Sequence, residues 1–141
     1  MKGDSIPESD HISRYCGGSH VDGDTISGTA FMLKDNESSL SVNWLEILRC
    51  QSRNEAIQEI RNIMANKRFQ LKKSARIAVH NAGTLIKTVK DKSPDSRVLS
   101  CLHEPARDDF SHSGIYGLKA DDELIADLIA TCIKEIHPAA M

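Results

Sequence analysis

The stretch "ARIAVHNAGTLIKTVKDKSPDSRVLSCLH" covers residues 75–103 and decides the fold. Its ends, "ARIAVHN" (75–81) and "RVLSCLH" (97–103), read as strands, the first of them buried on at least one face. The middle, 82–96, reads two ways. Leu85, Ile86 and Val89 fit one face of a short helix, whereas Thr84 and Thr88 suit a strand. Pro94 ends either element. A helix makes the region a βαβ unit with parallel strands and a right-handed crossover. A strand makes it an antiparallel meander.

Upstream of this stretch a helix is predicted over 53–67. Ser52 precedes Glu55 by three residues, the spacing of a capping box. Ala56, Ile57, Ile60, Ile63 and Met64 then recur at helical spacing as one apolar stripe. Further upstream, "TAFMLK" (29–34) and "SLSVNW" (39–44) flank the polar connection "DNES" and read as a β-hairpin. Alternation puts Leu40, Val42 and Trp44 on one face of the second strand, with Ser41 and Asn43 on the other. Trp44 reads as a core anchor where strand gives way to helix. Downstream, Leu124, Ile125, Leu128, Ile129, Cys132, Ile133 and Ile136 predict a last amphipathic helix, acidic at its start and basic near its end, which Pro138 stops. The order implies a single α+β domain over 11–138: a mixed four- to five-stranded sheet covered on one face by helices, the C-terminal helix among them. Residues 1–10 read as a flexible N-terminal arm.

Composition agrees with a globular domain. The 141 residues are 40% hydrophobic and 27% charged. Aromatics are only 4%, so the core rests on aliphatic side chains. Cys16, Cys50, Cys101 and Cys132 are scattered without a CxxC pair, and reduced thiols in a cytoplasmic setting are the expectation. No apolar run of about 18 residues exists, so no membrane helix is expected, and the polar start lacks the apolar region of a signal peptide. The net charge of −2 conceals a basic centre. Residues 61–103 hold 10 basic and 2 acidic side chains, while 1–60 and 104–141 are each net acidic.

Two polar stretches could carry chemistry. "HISRYCGGSH" (11–20) and "DDFSHSGIYG" (108–117) both mix histidine, serine and tyrosine with glycine. They read as loops, and if they meet, His11, Arg14, Tyr15, Ser111, His112 and Tyr116 form one pocket. Two imidazoles and a guanidinium could there hold and process a phosphate, giving His11, Arg14 and His112 catalytic roles and Tyr15, Ser111 and Tyr116 binding roles. "HIS" at 11–13 followed by Arg14 resembles half of the two-histidine phosphoesterase motif. The second unit fails, because Gly114 stands where a hydroxyl is needed after His112. Neither histidine has an evident carboxylate partner, and no GxSxG surrounds Ser41 or Ser111. The competing reading is that these are polar loops whose side chains cap nearby elements.

A second anion candidate is "RNIMANKRFQLKKSAR" (61–76), where Arg68, Lys72 and Lys73 are the proposed binding residues and Phe69 could stack on a base. The slightly acidic whole argues against a dedicated nucleic-acid binder, and such a run is more often a solvated face. His11, Cys16, His20, Cys101 and His103 are zinc-ligand types whose spacings match no common site, so no metal is expected. No P-loop or GxGxxG occurs, and no cofactor is expected.

"HISRYC", "SGTAFML", "LSVNWLE" and "SHSGIYG" together resemble landmarks of small bacterial proteins without an assigned activity, over about residues 10–138. The resemblance implies a compact bacterial domain and carries no activity, cofactor or catalytic residue with it. The expectation is therefore a cytoplasmic bacterial binding or accessory module acting through a protein partner. A small phosphoester- or nucleotide-processing enzyme built on the His/Arg pocket, and a nucleic-acid binder acting through 61–76, are the alternatives.

Overall fold

The computed structural model describes residues 3–67 and 70–140. Among them, eight strands and three α-helices follow in chain order: β1 (His11–Cys16), β2 (Val21–Asp22), β3 (Thr25–Ile26), β4 (Leu40–Trp44), α1 (Arg53–Asn66), β5 (Arg76–Asn81), α2 (Ala82–Lys92), β6 (Ser100–His103), β7 (His112–Tyr116), α3 (Glu123–Thr131) and β8 (Glu135–Pro138). Six strands form one sheet in the order β6-β7-β4-β1-β5-β8, while β2 and β3 pair separately. Every neighbouring pair in the large sheet is antiparallel. The fold is α+β, as the sequence implies, but the sheet is wider than four to five strands and is not mixed.

The ambiguous middle of 75–103 is helical. Asn81 caps α2 by accepting from the Thr84 backbone N–H at 2.9 Å. Yet the unit is neither a local βαβ pair nor a meander. β5 and β6 run in the same direction but lie on opposite sides of β1, β4 and β7, which alternate between them.

α1 forms as its cap predicts. Ser52 Oγ accepts from the Glu55 N–H at 3.2 Å, and Glu55 Oε2 in turn accepts from the Gln51 N–H at 3.0 Å. The helices, however, cover both faces. α2 and α3 bury Leu85, Val89, Ile125 and Ile129 with Ile12, Leu40, Val42 and Ala78 on one face. On the other, α1 packs Ile57 and Ile60 against Ile77 and Val79. Strand alternation separates the two sets.

Three further expectations are corrected. Residues 29–34 form no hairpin strand: Gly28–Phe31 is a 3-10 turn capped by Ser27, whose Ala30 and Phe31 are buried beside α3. "HISRYC" is no loop but strand β1, an interior member of the sheet, paired with β4 and β5. The last helix stops at Thr131, and Glu135–Pro138 pairs with β5 as edge strand β8. Ile133 and Ile136 continue the helical spacing by coincidence, while the Lys134 N–H, donating to Val79 O at 2.7 Å, has already joined the sheet. The described part of the 1–10 segment lies along β6. The Gly3 and Ile6 N–H groups donate to His103 and Cys101 carbonyls, and Ile6 is buried.

Candidate functional site

The register places the polar residues. Ser13 opposes Asn43, Asn43 opposes His112, and Ser41 opposes Gly114, so His11, Ser13, Tyr15, Ser41, Asn43, His112 and Tyr116 share one face. This is the face α1 covers, but α1 packs on the β5 side and leaves the β4–β7 side open. Between the end of α1 and that open sheet lies a groove of about 370 Å³. Arg14, Lys34, Lys67 and His112 line it with Tyr15, Ser41, Asn43 and Met64. None of these lining residues is acidic.

Two of the cations are held in place. Arg14 donates from Nε to Ala30 O at 2.8 Å and from a terminal nitrogen to Ser41 O at 2.7 Å. These acceptors fix the guanidinium without neutralising it. Burial draws its pKa below the ordinary arginine value, with Cys16 and Glu37 pulling the other way. Lys67, just after α1, meets Asp109 Oδ2 at 2.9 Å. The Asp109 side chain is 1% exposed and also accepts from Asn43 Nδ2 (2.7 Å) and Ser111 Oγ (2.7 Å). Burial alone would raise its carboxyl pKa, but the hydrogen bonds from Ser111, Lys67 and Asn43 outweigh that and leave it below the usual range. Asn43 Nδ2 also donates to Ser111 Oγ at 2.8 Å. This network forms the floor beside the groove. Ser13 Oγ, buried next to Asn43 in register, has no hydrogen-bond partner among the described residues.

His112 faces Ser41. Its Nδ1 lies 3.0 Å from Glu104 O, and its Nε2 lies 3.4 Å from Ser41 Oγ. A carbonyl oxygen only accepts, so the neutral ring has its proton on Nδ1 and its lone pair on Nε2.

The other candidate residues are dispersed. His11 shares the sheet face with His112 but belongs to a separate cluster: Nδ1 meets Glu46 Oε2 at 2.6 Å, and Nε2 meets Lys134 Nζ at 3.0 Å. The strand spacing puts the two histidine backbones roughly 12 Å apart, two strands across and two residues along. Ser111 is fully buried in the Asp109 network. The Tyr116 hydroxyl donates to Glu104, off the groove. The Lys72 N–H meets the Tyr15 hydroxyl at 3.4 Å, on the far side of Tyr15, and Lys73 is exposed. Arg68 and Phe69 lie outside the described residues. Of the basic run, Arg61 is engaged with Pro138 O, Lys67 with Asp109, and Arg76 with the Lys73 and Ala75 carbonyls.

Cys101 and His103 both lie in the core. Burial pushes the Cys101 thiol up to about 12, and His103 stacks edge-on between Trp44 and Phe110. No group of three or more His, Cys, Asp or Glu among the described residues is placed to hold a metal ion.

Sequence reasoning missed Lys34, Met64 and Asp109 at the groove, and Glu46 and Lys134 beside His11, while Lys67 stood only within the basic run 61–76. Ser41 and Asn43 gave a weaker signal, as polar residues alternating with Leu40, Val42 and Trp44. No family model, curated protein or solved structure matches the chain.

Proposed function

We propose that the protein is a binding module for a small anionic ligand, one bearing a phosphate or carboxylate, seated in the groove between α1 and the open half of the sheet. One observation carries this reading: Arg14, Lys34 and Lys67 converge with His112 on a cavity that no acidic side chain among the described residues lines. Asp109, the carboxylate of that network, is engaged by four donors from Asn43, Lys67 and Ser111. Tyr15, Ser41 and Asn43 add neutral hydrogen-bonding groups, and charge-assisted bonds to an anion are about twice as strong as neutral ones.

On this reading the protein is an accessory module that presents its ligand to a protein partner in a bacterial cytoplasm. The landmark words in the sequence and four free thiols support that setting. The two-histidine phosphoesterase alternative is less well supported, because Glu46 and Lys134 engage both ring nitrogens of His11 away from the groove.

Calorimetric titration of the full chain with inorganic phosphate and with phosphoserine tests the reading. One-to-one binding that weakens as salt rises is expected. Arg14→Gln and Lys34→Gln should each weaken it about tenfold or more, the equivalent of losing a hydrogen bond to a charged group. No binding, or binding indifferent to both substitutions, overturns it.

A further inference from the structure

Resting on the anionic-ligand reading, we infer that Ser41 is a nucleophile and His112 its general base, and that the groove hydrolyses small esters carrying a carboxylate or phosphate group. The geometry has the parts that activate a serine: a hydroxyl, a base within reach, and a third group orienting the base. Ser41 Oγ lies 3.4 Å from His112 Nε2, a separation at the long end that suits an unliganded site. The Glu104 carbonyl fixes the productive tautomer from the other side of the ring, leaving the Nε2 lone pair directed at the hydroxyl.

The sequence places the pair by register. His112 opposes Asn43 and Gly114 opposes Ser41, so the two are diagonal neighbours on one face of adjacent strands. Glu104 is itself pinned. Its N–H donates to His112 O at 2.8 Å, and its carboxylate accepts from the Tyr116 hydroxyl. Gly114 makes room for it, since a Cβ there would stand 2.6 Å from Glu104 Oε1 and 2.7 Å from Ser39 Oγ. A backbone carbonyl thus fills the place that a carboxylate takes in a Ser-His-Asp triad. Arg14 donates to the main-chain carbonyl oxygen of Ser41 at 2.7 Å, which ties the guanidinium to the strand position that carries the nucleophile.

The reaction balances with water alone. Ser41 Oγ attacks the ester carbonyl carbon as its proton passes to His112 Nε2. The tetrahedral oxyanion collapses, the leaving alkoxide takes that proton and departs as an alcohol, and an acyl-Ser41 ester remains. Water then attacks this ester while giving a proton to His112. Collapse releases the acid and returns that proton to Ser41 Oγ. Lys34 and Lys67 hold the substrate's anionic group.

The full chain is treated with a fluorophosphonate probe and mapped by mass spectrometry. It is also assayed with mono-p-nitrophenyl succinate and with p-nitrophenyl acetate. Labelling at Ser41 is expected, absent in Ser41→Ala. Turnover should fall about 100-fold or more in His112→Gln. The anionic ester should be preferred at least about tenfold over the neutral one, with the preference lost in Lys34→Gln. His11→Gln should keep wild-type turnover. The wild-type chain should also bind inorganic phosphate in the calorimetric titration. Absence of label, label that persists in Ser41→Ala, turnover unchanged in His112→Gln, or no preference for the anionic ester overturns the inference. If phosphate binds while Ser41 stays unlabelled, the hydrolase inference falls alone. If phosphate does not bind, the reading beneath it falls.

Discussion

His80 sits on β5 with its ring edge-on to Phe31, centroids 5.4 Å apart, and its Nε2–H donating to Ile129 O at 2.8 Å. It is 2% exposed among apolar neighbours of α3 and the 3-10 turn. Burial lowers its pKa to about 4, the hydrogen bond to Ile129 pulling weakly upward. The folded protein therefore holds this ring neutral, while the unfolded chain takes up a proton near pH 6.5. Stability is unaffected by His80 above about pH 6.5, falls as pH drops from there, and levels off below about pH 4. The full loss is about 3 kcal/mol. Chemical denaturation of wild type and His80→Leu across pH 4–7 checks this. The difference in unfolding free energy between them should change by that order across the window, and a pH-independent difference would remove His80 from the acid response. The sequence reads as a strand ending in a histidine that satisfies a hydrogen bond, but "RIAVHN" does not announce the α3 carbonyl that the ring meets 49 residues away.

At the scale of elements, legibility followed how local the cause was. The α1 cap, the 76–81 strand and the 40–44 strand are written in spacing, and each forms where the spacing puts it. β1 escaped notice because Arg14 and two flanking glycines look like a loop. Its identity as a strand depends on β4 and β5 standing on either side. β8 escaped because four residues of edge strand follow α3 after a three-residue link in the same apolar rhythm. The 3-10 turn before Met32 was hidden in the same way, and it depends on close approach to α3. A Cβ on Gly28 would lie 2.0 Å from Asp127 Oδ1 and 3.0 Å from the backbone of that residue. The carboxylate can swing away, but the helix backbone cannot move without disturbing Ile125 and Ile129. Gly28→Ala is therefore expected to cost about 1–3 kcal/mol, as overpacking does. Thermal unfolding measures it, and a melting temperature equal to wild type would show that α3 has slack at this contact.

At the scale of the whole molecule, one sheet separates two cores, and Met64 and Lys67 reach the groove from only one of them. The candidate site draws on β1, β4, α1 and β7, with Asp109 lying 42 residues from Lys67 and 66 from Asn43. Such a grouping follows from strand order, and no spacing rule in the sequence reports it. Arg14, Tyr15 and His112 were nominated by type, and topology brought them to the groove while taking His11 elsewhere. The two-core arrangement separates stability from binding. Ile60 is fully buried on α1, one turn before Met64 and two before Lys67, both of which line the groove. Leu85 is equally buried on α2, on the opposite side of the sheet. Ile60→Ala and Leu85→Ala should each cost about 2–5 kcal/mol of stability. Only the first loosens the end of α1 that carries Lys67 to Asp109. At a temperature where both variants remain folded, calorimetry should show phosphate binding weakened severalfold in Ile60→Ala and unchanged in Leu85→Ala. Equal weakening in both would mean that the sheet transmits strain between its faces and that α1 has no special hold on the site.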